Sequence, residues 1–291
     1  MDKQFRKQKT IRFFFPFAPY KMFSSIKLMA VLGALLAMRI ILNFVSIPIP
    51  GIGKSISVAW VPVMLLGWVF GPIHGFIWGF VTDTICFFMS PGSVWYWLYA
   101  IQEPIVGMMG GIRAGICALR MNKENARPIY DILIQQIILF SFVGTSIACI
   151  FLWMGTGSEK VKYFDTYKVV TLVMLGAYLA IMEFFTFIQI KNFEKHKERT
   201  MMFIHCTILV TIVIVIFSFA LGPLAAVEYL RYVNGVYPNN YLTYGVIFYL
   251  VPRVIIESIK TPLEILIMFG LVIAIRPTTK SINNTLANKW W

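Results

Sequence analysis

Charge is scarce in this chain, and negative charge scarcer still. Only 13 % of its 291 residues are charged, with 13 Asp and Glu against 26 Lys and Arg. Together with 58 % hydrophobic residues and a mean hydropathy of +0.74, this excludes a soluble globular domain of such length. Cysteine is sparse too. Cys86, Cys117, Cys149 and Cys206 lie in separate apolar runs and no CxxC pair occurs, which leaves neither a zinc site nor a disulfide framework. They read as buried, inert thiols. The three histidines, His74, His196 and His205, are scattered, and no His/Asp/Glu set has metal-ligand spacing. No serine or cysteine has a base at helical spacing, so neither enzyme chemistry nor a cofactor is indicated.

Gly51-Ile-Gly-Lys-Ser55 ends like a phosphate loop, but Pro48 stands where the first glycine belongs. The strand and helix that must flank such a loop are missing as well. There is no internal repeat of the kind that marks a secondary transporter, and no soluble domain interrupts the chain.

Long apolar runs fill the sequence instead. About 20 apolar residues are needed to cross a bilayer as a helix, and the candidates are 23–47, 56–71, 73–90, 96–118, 130–154, 169–190, 201–221 and 244–275. The fold class expected is an all-α polytopic membrane protein with about eight helices. The run from Phe23 to Ile47 is too long for a signal peptide and no small-residue cleavage site follows it, so it reads as a retained first helix. Pro252 and Pro262 are expected to kink the last helix. The segments 155–168 and 222–243 read as loops that cap one face.

The basic residues give the orientation. Seven crowd the N-terminal tail, and others cluster at 119–129, 191–200 and after Arg276. With eight crossings and the N-terminus in the cytosol, seventeen fall inside and five outside (Lys54, Lys160, Lys162, Lys168 and Arg231), as the positive-inside rule requires. The excess of positive charge therefore points to a membrane surface, not nucleic acid. Four more lie within apolar runs: Arg39, Arg113, Arg253 and Lys260.

Gly67, Gly71, Gly75 and Gly79 recur every four residues, with Pro72 at the break and Asp83 beyond. A small residue at each fourth position lets helix backbones approach closely, so the run reads as a tight helical hairpin. A lone carboxylate at membrane depth points to a binding or pairing role for Asp83. Glu103 has the same two readings. On the last helix Arg253, Glu257, Lys260 and Glu264 share one stripe. Arg253, nearest the outer end, is the candidate for an anionic ligand, and the deeper three are candidates for mutual pairing.

Arg39 and Asn43 lie a turn apart near the outer end of the first helix. A Pro/Gly-rich loop follows at 46–57, in which Pro48, Pro50, Gly51 and Gly53 suit a hinge. Trp95, Tyr96 and Trp97 form either an interfacial belt or a stacking surface for a flat ring. Ala30, Gly33, Ala34 and Ala37 make a smooth face on the first helix, for packing within the protein or against a partner.

These features together resemble the substrate-binding (S) components of energy-coupling factor (ECF) vitamin transporters, especially the folate-type branch. The likeness rests on Phe44-Val-Ser-Ile-Pro-Ile, on Val61-Pro, on Phe70-Gly-Pro-x-x-Gly-x-x-x-Gly-x-x-x-Asp83, on the Pro91-Gly loop, on Gly107-x-x-x-Gly111, and on Leu250-Val-Pro-Arg253 through Lys260-x-Pro262. The resemblance implies a six-helix bundle that captures a vitamin from outside and hands it to a transmembrane T subunit and two cytosolic ATPases. Its pocket would draw on Arg39, Asn43, Trp95, Tyr96, Trp97 and Arg253, with Asp83 in second rank. The 46–57 loop would gate it, and Ala30, Gly33, Ala34 and Ala37 would dock the partner. Folate, or a related flat heterocyclic anion, is the first expectation for cargo, and riboflavin or another vitamin the alternative. Asn43 stands where folate-type members often carry arginine, which leaves Arg39 as the substitute.

The chain then divides into a basic cytosolic tail (1–22), helices one to four of the core (23–118), an inserted transmembrane hairpin (130–191), the last two core helices (201–275) and a cytosolic C-terminal tail (276–291). The expected location is the cell membrane, multi-pass, with both termini cytosolic.

Overall fold

The computed structural model describes residues 13–14, 25–45, 47–49, 54–90, 94–121, 128–154 and 161–286. The protein is nearly all helical. Its elements are α1 (Ile26–Phe44), strands β1 (Ile47–Ile49) and β2 (Lys54–Ile56), α2 (Trp60–Phe70), α3 (Pro72–Met89), the one-turn α4 (Trp97–Ala100), α5 (Gln102–Met121), α6 (Ile129–Met154), α7 (Val161–Asn192), α8 (Lys197–Val213), a π-helical stretch (Ile214–Ala220), α9 (Leu221–Asn234), the short α10 (Asn239–Tyr244) and α11 (Ile247–Leu286). Among the described residues, six stretches are long and apolar enough to cross a bilayer: Ile26–Phe44, Pro72–Met89, Ile129–Phe151, Lys168–Asn192, Lys197–Asn234 and Phe248–Thr278. The share of each span buried by its neighbours is 22 % for the first and 61 % for Lys197–Asn234, so the former is peripheral and the latter central. Exposed Ile41, Ile137, Phe140, Val173, Phe184 and Phe187 form apolar surface that only lipid tolerates on this scale.

The glycine ladder is the packing device expected. Gly71, with φ 92° and ψ 172°, makes the turn that L side chains resist, and Pro72 opens α3 at its first helical position. Methyl groups at Gly67 or Gly75 would collide with the Gly107 carbonyl, and one at Gly79 would sit 2.6 Å from the Glu103 carbonyl oxygen. Reciprocally, a methyl at Gly107 would strike the Gly75 backbone. Backbone thus meets backbone where α2 and α3 cross α5, and Val61 through Phe70 are all buried.

Four expectations change. α7 begins at Val161, so 161–168 of the segment read as a loop at 155–168 is helix, and 155–160 lie outside the described residues. Leu221–Asn234 is helix, continuous with α8 and the π stretch, and α10 follows it, so 222–243 is not a bare loop. The Gly222-Pro223 pair does not stop this helix. Pro223 has no N–H to give the Ser218 carbonyl five residues back in the π pattern, and Arg253 bonds there instead: its Nη1 and Nη2 donate to the Ser218 and Gly222 carbonyls at 3.4 and 2.9 Å. Cys149 is exposed, unlike the buried Cys86, Cys117 and Cys206. The last helix runs to Leu286 with Pro252, Pro262 and Pro277 inside it.

Candidate functional site

One end of the bundle gathers the C-terminal ends of α1 and α3, α4 with the segment before it and the middle of α9 around a cavity of about 320 Å³. Its wall contains Arg39, Asn43, Asp83, Cys86, Phe87, Ser90, Val94, Trp95, Tyr96, Tyr99, Ala100 and Tyr229. A second cavity of about 360 Å³ lies between α7, α8 and α11 and is lined mainly by Phe185, Ile188, Phe203, Leu266 and Phe269. Only the first brings together residues picked out from the sequence, so it is the candidate.

Arg39 points inward and is 6 % exposed, which rules out a role at the lipid head groups. Its Nε donates to both Glu103 oxygens, at 3.0 and 3.1 Å, and its Nη2 also bonds Glu103 Oε1. This fork is the geometry in which guanidinium and carboxylate bind most strongly. Thr82 Oγ1 adds a bond to Glu103 Oε2 at 3.3 Å. Arg39 Nη1 donates to Asn43 Oδ1 at 3.4 Å, Asn43 Nδ2 donates to Ser90 Oγ at 3.4 Å, and Ser90 Oγ donates to the Cys86 carbonyl at 2.8 Å. The polar wall is therefore a chain of matched groups running from α5 through α1 to α3. Arg39 does not offer a spare positive charge in place of the arginine absent at position 43.

The aromatic wall is larger than expected. Tyr96 meets Tyr99 at 6.2 Å between ring centroids and Tyr229 at 5.9 Å, while Tyr99 and Tyr229 are 5.5 Å apart. Tyr232 closes on Tyr96 at 5.5 Å. Edge-to-face contacts such as these fix ring positions. Tyr99 and Tyr229 were not singled out in the sequence. A tyrosine one turn after Trp95 was the available signal for Tyr99, but Tyr229 lay in a presumed loop.

The structure brings Arg39, Asn43, Asp83, Trp95 and Tyr96 to the cavity wall; Trp97 and Arg253 are not among the lining residues. Trp97 is 57 % exposed. Arg253 sits behind Tyr99, in contact with its side chain and bonded to the Ser218 and Gly222 carbonyls. The deeper stripe pairs internally: Lys260 Nζ lies 3.1 Å from Glu257 Oε1 and 3.6 Å from Glu264 Oε1, and Ser218 Oγ donates to Glu257 at 2.7 Å.

Of the expected gating segment, Pro48 lies in β1, which pairs antiparallel with β2 with Pro48 opposite Ser55. Pro50, Gly51 and Gly53 fall outside the described residues. The strand pair is tied down by Ser57 Oγ, which donates to the Leu42 carbonyl at 3.4 Å, and by contact of β2 with α11. Ala30, Gly33, Ala34 and Ala37 are all exposed, and a methyl added at Gly33 would meet no atom within 4 Å. That face is not used for packing within the described protein. Leu28, Leu32, Leu35 and Arg39 turn inward instead. No group of three or more His, Cys, Asp or Glu among the described residues is placed to hold a metal ion.

Comparison with known proteins agrees with this architecture. Residues 23–179 match the family model described as ECF-type riboflavin transporter, S component. The chain is 31 % identical over 272 residues to the uncharacterized protein MG313 of Mycoplasma genitalium, covering 89 % of this chain and 93 % of that one. It is 27 % identical over 271 residues to the MG313 homolog of Mycoplasma pneumoniae, with the same coverage. A UPF0397 protein of Streptococcus gordonii is 27 % identical over 124 residues, 43 % of this chain and 66 % of that protein. No solved structure matches. Gly-ladder packing, a ring-lined cavity at one end of a helical bundle and a family match over more than half the chain together place this multi-pass membrane protein in the family of ECF-type riboflavin transporter S components.

Proposed function

We propose that the chain is the substrate-capture subunit of an ATP-driven vitamin importer, and that the cavity between the ends of α1 and α3, α4 and α9 holds the cargo. The observation that carries this reading is the cavity itself. About 320 Å³ lined by Trp95, Tyr96, Tyr99 and Tyr229 beside a fixed polar chain suits one flat ring system. Of the two cargoes named from the sequence, the family match favours riboflavin over folate. Trp95 and Tyr96 stack on the ring, Asn43 and Asp83 face its polar edge, and the β1–β2 hairpin gates the cavity. Arg253 acts from behind, by holding Tyr99.

The partners are a transmembrane T subunit and two cytosolic ATPases, which dock on Ala30, Gly33, Ala34 and Ala37. The exposure of all four supports that assignment. Both termini lie in the cytosol, so that the cavity opens outward and the basic turns face inward. Copurification with two ATPases and a T subunit, and mass spectrometry of small molecules retained by the purified protein, test the proposal. A chain that brings down neither ATPases nor any ring compound overturns it.

The core consists of α1 to α5 with α8 to α11, and α6 and α7 form an inserted hairpin; no described residue of 130–191 lines the cavity. The span of the family match favours a second division. It reaches residue 179 and takes in α6 and half of α7, so that α6 and α7 would be core helices five and six and the remainder an addition.

A further inference from the structure

The charges around the cavity do not fit an anion. Arg39, the one cationic side chain among the described residues of its wall, is held by Glu103 through Nε and Nη2, and its Nη1 donates to Asn43. Asn43 donates one N–H to Ser90, and Ser90 donates to the Cys86 carbonyl. Asp83 also lines the cavity, within electrostatic reach of both Arg39 and Glu103, and among the described residues it accepts no hydrogen bond. Arg39 and Glu103 balance each other, so among the described lining residues Asp83 is the acid to which no cation is bonded. At the rim Glu228 and Arg231 pair at 3.5 Å, and Arg253 is occupied behind Tyr99. The tyrosine faces add no attraction for an anion either, since an aromatic face is the negative side of its quadrupole.

We infer that Asp83 is a specificity determinant: the cargo donates hydrogen bonds from an uncharged or cationic group to the Asp83 carboxylate, and anionic ring compounds are turned away. The inference rests on the capture reading above and adds to it the charge class of the cargo. An open carboxylate in a half-enclosed cavity favours N–H or O–H donors, and like-charge juxtaposition there is strongly unfavourable. Folate, a dianion, fits poorly on this ground. Riboflavin carries donors without charge, and a thiamin-like cation carries charge as well.

Equilibrium dialysis of the purified protein in nanodiscs against riboflavin, its 5′-phosphate, folate and thiamin separates these cases. The expected result is that riboflavin or thiamin binds at least about tenfold more tightly than either anion. Asp83→Asn, a near-isosteric change, should weaken the preferred compound about tenfold and narrow the gap to the anions. Tight binding of folate or of the phosphate by the wild-type protein overturns the inference while leaving vitamin capture standing. So does an Asp83→Asn protein with an unchanged pattern of affinities. Should Asp83→Asn fail to fold, the wild-type panel decides alone. If all four compounds fail, the charge of any molecule retained through purification decides. A protein that binds none and retains none loses the capture reading, and this inference with it.

Discussion

Arg39 shows how one buried residue holds both stability and site. Its guanidinium joins α1 to Glu103 on α5, 64 positions away, and orients Asn43 within the cavity wall. Removing one member of a buried pair strands the other charge, at a loss of about 3 kcal/mol or more. Arg39→Met is therefore expected to lower the melting temperature of the detergent-purified protein clearly, and Arg39→Met with Glu103→Met to recover much of it. Equal losses in the single and double variants would show that the pair is not a coupled unit. The sequence flagged Arg39, Asn43, Asp83 and Glu103 because charge and amide are rare at membrane depth. It did not show which were partners. Arg39 to Glu103 is a tertiary pairing, and no spacing rule reaches across two helices to find it. Arg253 misleads for the same reason: its chemistry fits an anion, but the Ser218 and Gly222 carbonyls of the neighbouring helix claim it first.

At the scale of elements, the α2–α3 hairpin was the most legible part of the fold. Its glycine period, its Gly71-Pro72 break and the matching Gly107 and Gly111 are all local patterns. The contact at Gly107 is backbone against backbone, which cannot give as a side-chain tip can. Gly107→Ala is expected to destabilise by about 1–3 kcal/mol. Gly144→Ala, where a methyl would meet nothing within 4 Å, is expected to be neutral or to stabilise by up to about 1 kcal/mol. Thermal unfolding of the two variants side by side would expose an error if Gly144→Ala proved the more damaging. The helix through Leu221–Asn234 was not legible, because Gly-Pro is a stop signal in isolation. Only the π turn and the Arg253 bonds, both consequences of packing, carry the helix past it.

On the scale of the whole molecule, the exposed small-residue face and the cavity lie on separate parts of the bundle and can be disabled separately. Ala34→Trp should abolish uptake in cells while leaving equilibrium binding of the retained ligand unchanged within about twofold, because a large side chain blocks close helix approach. Unimpaired uptake would remove the docking assignment. A chain in which 130–191 is replaced by a short polar linker separates the two divisions of the core. Retained ligand binding supports an insertion, whereas a protein that melts normally and binds nothing supports core status. The all-helical, multi-pass character could be read from the apolar runs. The division into core and addition could not, since α6 and α7 are as apolar as the first and last helices.

The 11 residues of α2 rise about 16 Å, roughly half the hydrocarbon thickness. Buried from Val61 to Phe70, α2 has almost no surface to offer to lipid. During synthesis such a segment has nothing to hold it in the bilayer when it first leaves the ribosome. Its insertion must wait for α3 to span and for α5 to supply the glycine seam, so α2, α3 and α5 enter as one cooperative unit. A glycine lesion in that seam would then be felt in biogenesis, as chain handed to membrane proteases before it ever binds a ligand.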